Sequence, residues 1–320
     1  VLANGGQLES ILLASNLTID IGWFGSPEPK RAFLHSSGLH GVEGFAGSAI
    51  QLQWLNDGIA GCSSEDAVII VHILNPFGMA NLRRVDEENV DLNHNFLPAG
   101  ETYTGAPPEY AALNELLNPA SSSGGIFWLR AFWRAAALQR VLDQGQYDLP
   151  RGLSYGGGRH SAATRRFHLY ISGKLARAER VVAIDVHTGP GNFGQDVLIV
   201  NDSEENLARV EEMQSAYGSA VQPNESEMPA RGSLEALCFR MFPGAQVYFA
   251  TQEFGCCSQM AALATLRNEN RNYHFGDTTE KAAAGKKLLE TFCPPDEDWR
   301  NRVLARGREV IQQGLALSRR

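Results

Sequence analysis

"RVVAIDVHTGPGNFGQDVLIV", residues 180–200, decides between two folds. Residues 180–186 are short, apolar and rich in valine, so they read as a strand buried on both faces. Gly189, Gly191 and Gly194 then match G-x-G-x-x-G, the spacing of a dinucleotide-binding turn. Such a turn needs a helix to start within the glycines, so that free N–H groups face a pyrophosphate. Here Asp196–Val200 reads as another strand and Pro190 sits inside the turn, which makes the segment a glycine loop between strands. Dinucleotide binding becomes the lesser alternative. His187, at the end of the first strand, becomes the residue of interest.

Outward from this stretch, residues 17–24, 32–36, 67–74 and 246–252 also read as short apolar strands. Helical periodicity runs over 44–56, where Phe45, Ala49 and Leu52 share a face, and over 126–142, 160–178, 204–217, 279–291 and 298–317. Apolar strands alternating with helices predict an α/β sheet covered on two sides. No internal repeat is visible. Residues 98–125, rich in Pro, Gly and Ser, predict surface loops around one short helix. Ligands of open α/β sheets gather beyond the carboxyl ends of strands, where His40, Asn75, His187 and Glu253 are expected.

With 320 residues, 43% hydrophobic and 20% charged, the chain has the length for a sizeable core, and one domain over 1–320 is expected. A formal charge of −8 attracts neither nucleic acid nor an anionic membrane surface, which leaves a peptide or small molecule as the expected partner. The five cysteines contain no C-x-x-C pair, so neither a disulfide framework nor a cysteine zinc site is indicated, and a cytoplasmic setting is expected. No segment has the length and apolarity of a membrane span. The chain begins at Val1 rather than Met, which leaves room for a few missing N-terminal residues. Oligomeric state is open.

Two further motifs compete for the chemistry. Gly152-Leu-Ser154-Tyr-Gly156 matches the nucleophile elbow G-x-S-x-G, but the polar QYDLPRG before it is no buried strand, so a loop is expected. "HSSGLHGVEGFAGSAI", residues 35–50, places His40 at a strand end and Glu43 at the start of the next helix, three residues apart and able to converge on one ion. A catalytic zinc wants three protein ligands, so a second histidine must come from elsewhere. His35 and His72 read as core residues inside strands, while His160, His168 and His274 have no partner at metal spacing. His187 remains. Residues 75–96, "NPFGMANLRRVDEENVDLNHNF", read alone as a solvated loop.

Together, "GLHGVEG", "NPFG…LRRVDEENVDLNHNF", "DVHTG" and "TQEFG" resemble the zinc carboxypeptidase superfamily, including its aspartoacylase and succinylglutamate desuccinylase branch. They span residues 38–255 in the family's order, and "HGVEGFAGSAIQ" with "GQYDLPRGLSYGG" is similar to a bacterial branch rather than the digestive enzymes. The resemblance implies a mixed, largely parallel central sheet with helices on both faces, and one zinc per chain held by His40, Glu43 and His187. It further implies Asp91 behind a ligand histidine, Glu253 as general base, Arg84 polarising the scissile carbonyl and Asn93 contacting the substrate carboxylate. The implied activity is amide hydrolysis by a metallocarboxypeptidase-like peptidase, or deacylation of an N-acyl amino acid; a non-catalytic relative is the remaining alternative.

One position departs from the family. His94 stands where D-L-N-R-N has arginine, and a histidine offers a carboxylate one contact instead of a bidentate pair. Arg83, or Arg231 in the loop 223–233, is the expected substitute for that charge. Tyr217 and Tyr248 are the candidates for a tyrosine closing over substrate.

Overall fold

The computed structural model describes residues 1–13, 16–59, 61–121, 134–200, 207–223 and 230–320. Its strands are β1 (Gln7–Leu12), β2 (Thr18–Gly25), β3 (Arg31–Ser37), β4 (Asp66–His72), β5 (Arg180–Pro190), β6 (Asp196–Val200), β7 (Val221–Pro223) and β8 (Gln246–Cys257). Its helices are α1 (Gly44–Asp57), α2 (Pro76–Ala80), α3 (Pro108–Leu117), α4 (Ala135–Gln144), α5 (Ala162–Lys174), α6 (Leu207–Tyr217), α7 (Leu234–Met241), α8 (Gln259–Phe275), α9 (Thr278–Phe292) and α10 (Glu297–Ser318). The expected helices over 126–142 and 204–217 begin outside the described residues, as do parts of the loops 98–125 and 223–233. No helix among the described residues is long and apolar enough to cross a membrane.

The sheet is mixed, with eight strands in the order β1-β2-β4-β3-β5-β8-β6-β7. Its centre, β4-β3-β5-β8, is parallel, while β1, β2 and β6 join antiparallel to their inner neighbours. Alternation along each strand feeds two cores. Phe33, Val68, Ile70, Val182 and Ile184 pack under α1, α6 and α10, with Trp54, Met213 and Val310 among their partners. Leu34, Ile69, Val71, Val181 and Ala183 pack on the opposite face under α5 and α7, against Phe167, Ile171 and Leu237. Helices therefore cover both faces.

Two expected strands proved short. The segments 180–186 and 246–252 continue as β5 and β8 to Pro190 and Cys257, and pair in register from Arg180↔Gln246 to Gly189↔Gly255. His187 and Glu253 thus stand opposite one another inside paired strands instead of at strand ends. No helix starts within Gly189–Gly194, because β6 begins at Asp196, and Ser154 sits in a turn with φ 54°. Neither the dinucleotide turn nor the nucleophile elbow has its required setting.

Candidate metal centre

His40 follows β3 through Gly38, whose φ of 66° turns the chain, and precedes a 3-10 turn, Gly41–Glu43, that runs into α1. The polar segment 75–96 holds this turn from behind. Gly41 N–H donates to Arg84 O at 3.0 Å and Val42 N–H to Arg83 O at 2.8 Å. Asn75 accepts Gly78 N–H at 2.9 Å, capping α2, and its amide donates to Arg84 O at 3.2 Å. These backbone anchors explain why an apparently solvated loop carries so many small polar residues.

Glu43 lies between two histidines. Its Oε1 is 3.2 Å from His40 Nδ1 and its Oε2 is 3.3 Å from His187 Nδ1, with all three residues under 5% exposed. On the far side of each ring, His40 Nε2 meets Asp91 Oδ1 at 3.0 Å and His187 Nε2 meets Asp185 Oδ2 at 2.6 Å. Asp185 also accepts the Ser36 hydroxyl at 2.6 Å. With each Nε2 proton turned toward a carboxylate, each Nδ1 presents its lone pair to the space beside Glu43. Arg84 Nη2 also lies 2.9 Å from His40 Nε2; this donor favours a bare Nε2, whereas Asp91 Oδ1, which can only accept, favours a protonated one.

This donor set fits zinc. One ligand atom from each of His40, Glu43 and His187 can be chosen so that all three lie within 4.8 Å of one another, and two nitrogens with a carboxylate oxygen are donors that zinc takes. His40 Nδ1 is buried without a hydrogen-bond partner among the described residues, which leaves it able to ligate an ion. Among the described residues, His40, Glu43 and His187 form the group able to hold a metal ion.

The electrostatics are those of a cation site. Burial and His40 act in opposite senses on Glu43, and His40 together with Arg84 wins, holding its carboxyl well below the usual range. Burial lowers His187, yet Asp185 and Glu43 raise it well above the ordinary value. Glu253 differs. Burial pushes it up to about 7 against the pull of His187, with Glu43 adding to the rise, and its carboxyl group has no hydrogen-bond partner among the described residues. A carboxyl with a pKa near neutrality is poised to exchange a proton.

The other expected residues divide. Arg84 donates Nε to Asp91 Oδ2 at 3.4 Å, pairs through Nη1 with Glu43, and lines the same cavity as His40, Glu43, His187, Glu253, Asn93 and His94. Asn93 Oδ1 accepts Leu234 N–H at 3.2 Å at the start of α7, which leaves its NH2 as the donor. Arg83 is a correction. It is 1% exposed, donates to Glu269 Oε1 at 2.7 Å and to Asn89 Oδ1 at 2.9 Å, and stacks on Tyr273, so it is not available to a substrate carboxylate. Arg231 pairs with Glu101 at 3.2 Å, away from the cavity lining. Tyr217 and Tyr248 are buried in the core, the latter donating to Glu212 at 2.8 Å, and neither lines the cavity. Asp185 was missed, although a carboxylate two residues before a strand histidine shares its face.

No curated protein matches the chain. Among solved structures, it is similar to the murein-tripeptide amidase MpaA from Escherichia coli O157, at 18% identity over 80% of this chain and 89% of that one, with a TM-score of 0.43. The succinylglutamate desuccinylase from Chromobacterium violaceum matches at 14% identity over 93% and 75% of the two chains, with a TM-score of 0.43. The carboxypeptidase A from Helicoverpa armigera matches at 10% identity over 88% and 68%, with a TM-score of 0.42. The family model described as a protein of unknown function, DUF2817, matches residues 12–306, and the chain belongs to that family.

Proposed function

We propose that residues 1–320 act as one catalytic domain, a zinc-dependent hydrolase of amide bonds with peptidase-like chemistry. The observation that carries this reading is the arrangement of His40 Nδ1, His187 Nδ1 and Glu43 around one point, each histidine backed by its own carboxylate, with Glu253 opposite His187 in the register of the sheet. Zinc held by His40, Glu43 and His187 would supply Lewis acidity, which makes water a competent nucleophile near neutral pH.

The chain's own groups do the rest. Glu253 takes a proton from the attacking water and returns it to the departing amine, a role suited to its pKa of about 7. Arg84 lies beside Glu43 and offers its guanidinium to the oxygen that gains charge; one such donor is typically worth about 2.7–4 kcal/mol of barrier. Asn93 presents its NH2 to substrate, its orientation fixed by Leu234 N–H. Asp91 and Asp185 hold the histidine rings.

The test is zinc analysis joined to turnover of a panel of peptides and N-acyl amino acids. The expected result is one zinc per chain, lost in His40→Ala and His187→Ala, and kept in a Glu253→Gln protein that has lost nearly all turnover. An equally active Glu253→Gln protein would remove the assignment.

A further inference from the structure

Away from His40, Glu43 and His187, the charged side chains that line the cavity are acidic apart from Arg84. Its volume is about 510 Å³, room for a peptide-sized ligand. Arg84 is the arginine among the described lining residues, and Glu43 and Asp91 already engage it. Arg83 is buried against Glu269 and Asn89, and Arg231 is held by Glu101. His94 does not replace them. Its ring is 5% exposed, and Nδ1 lies 2.6 Å from where a Cβ on Gly145 would stand, so that nitrogen faces the chain and not the cavity. Meanwhile Asp143, on α4, and Glu235, on α7, both line the cavity. Gln139 donates to Asp143 Oδ1 at 2.6 Å, which orients the carboxylate and leaves Oδ2 as an acceptor. Thr188, 1% exposed, adds a lining hydroxyl that has no partner among the described residues.

We infer that this cavity takes an amide substrate that carries an ammonium group, with Asp143 as the residue that selects for it, and not one that carries a free carboxylate. The inference rests on the amide-hydrolase reading above. A carboxylate placed among Asp143, Glu235 and Glu253 would be repelled in a partly dehydrated site, where charges are weakly screened. An ammonium beside Asp143 gains Oδ2 as a charged acceptor, and the Thr188 hydroxyl is a further, neutral acceptor in the same lining.

The experiment uses zinc-loaded protein and two hydroxamates that differ in one arm, aminoalkyl or carboxyalkyl, with affinities read by calorimetry so that turnover is not required. The ammonium compound is expected to bind at least tenfold more tightly, and Asp143→Asn to shrink the difference below threefold while the unfolding midpoint stays put. Equal or tighter binding of the carboxylate compound overturns the inference and leaves the metal reading standing. So does failure of both compounds to bind a protein that retains zinc. A protein that holds no zinc and binds neither overturns both.

Discussion

Glu253 and Gly189 compete for one volume: a Cβ on Gly189 would stand 2.3 Å from Glu253 Oε1. His187 pairs with Glu253 across β5 and β8, and the carboxylate leans along the strands over the bare Cα two residues on. Gly189→Ala should therefore push the carboxylate aside while leaving the metal ligands in place. Misplacement of a reacting group by about 1 Å can cost about 100-fold in rate. The expected outcome is a kcat lower by that order, with zinc content and unfolding midpoint near those of the wild type. Unchanged turnover would mean that Glu253 does not act from this position.

Asp185 should matter to zinc affinity as much as a ligand's partner usually does. It is 1% exposed and divides its oxygens between His187 Nε2 and the Ser36 hydroxyl. Partners of this kind typically account for about 10–100-fold in metal affinity. Asp185→Asn is expected to weaken zinc binding within that range, and Ser36→Ala to weaken it less, as measured by competition with a chromogenic chelator.

The sequence made the central strands legible because apolar runs leave short-range marks, whereas the His40–Glu43 spacing alone did not separate a metal site from a glycine turn and His187 was joined to it by the resemblance. Apolar runs such as Val181–Ile184 and Ala67–Val71 need no tertiary information. α8 was not legible. Its second half, Arg267–Phe275, lacks an apolar stripe, because it buries polar groups that find partners far away: Glu269 with Arg83, Arg267 with Leu116 O and Asn270 with Arg151 O. The same long-range pairing separates Arg83 from Arg84. They are neighbours in sequence, one aimed at α8 and the other at the metal centre. His94 was readable as a departure, but only the closeness of Gly145 shows that its Nδ1 faces inward.

His35 should make the fold acid-sensitive. It lies in β3 with no exposure, and burial holds its pKa down to about 4, against 6.5 for the free side chain. Below pH 6.5 the unfolded chain takes up a proton that the folded chain refuses, so stability falls as pH drops from 6.5 toward 4. Between pH 7 and 5 the loss is roughly 2 kcal/mol. Urea unfolding at the two pH values checks this: His35→Phe is expected to remove about that much of the wild-type difference, whatever its effect at pH 7.

Arg83 and Glu269 should behave as a structural pair. Arg83 Nε donates to Glu269 Oε1 at 2.7 Å, and the guanidinium carbon lies 3.3 Å from the Tyr273 ring centroid. Both side chains are less than 8% exposed, so neither charge has water to fall back on. Removing one partner of a buried pair typically costs about 3–5 kcal/mol, because the other charge stays buried and uncompensated, while an apolar replacement of both can be close to neutral. Glu269→Ala is expected to lose stability in that range by urea denaturation, and Arg83→Met/Glu269→Leu to recover most of it. Kinetics then separates the two arginines. Because Glu269 lines the cavity and Arg83 does not, the double variant is compared with Glu269→Leu alone: the two should share one KM, whereas Arg84→Ala should lower kcat. A double variant that folds well but binds substrate at least tenfold more weakly than Glu269→Leu alone would return Arg83 to the substrate site.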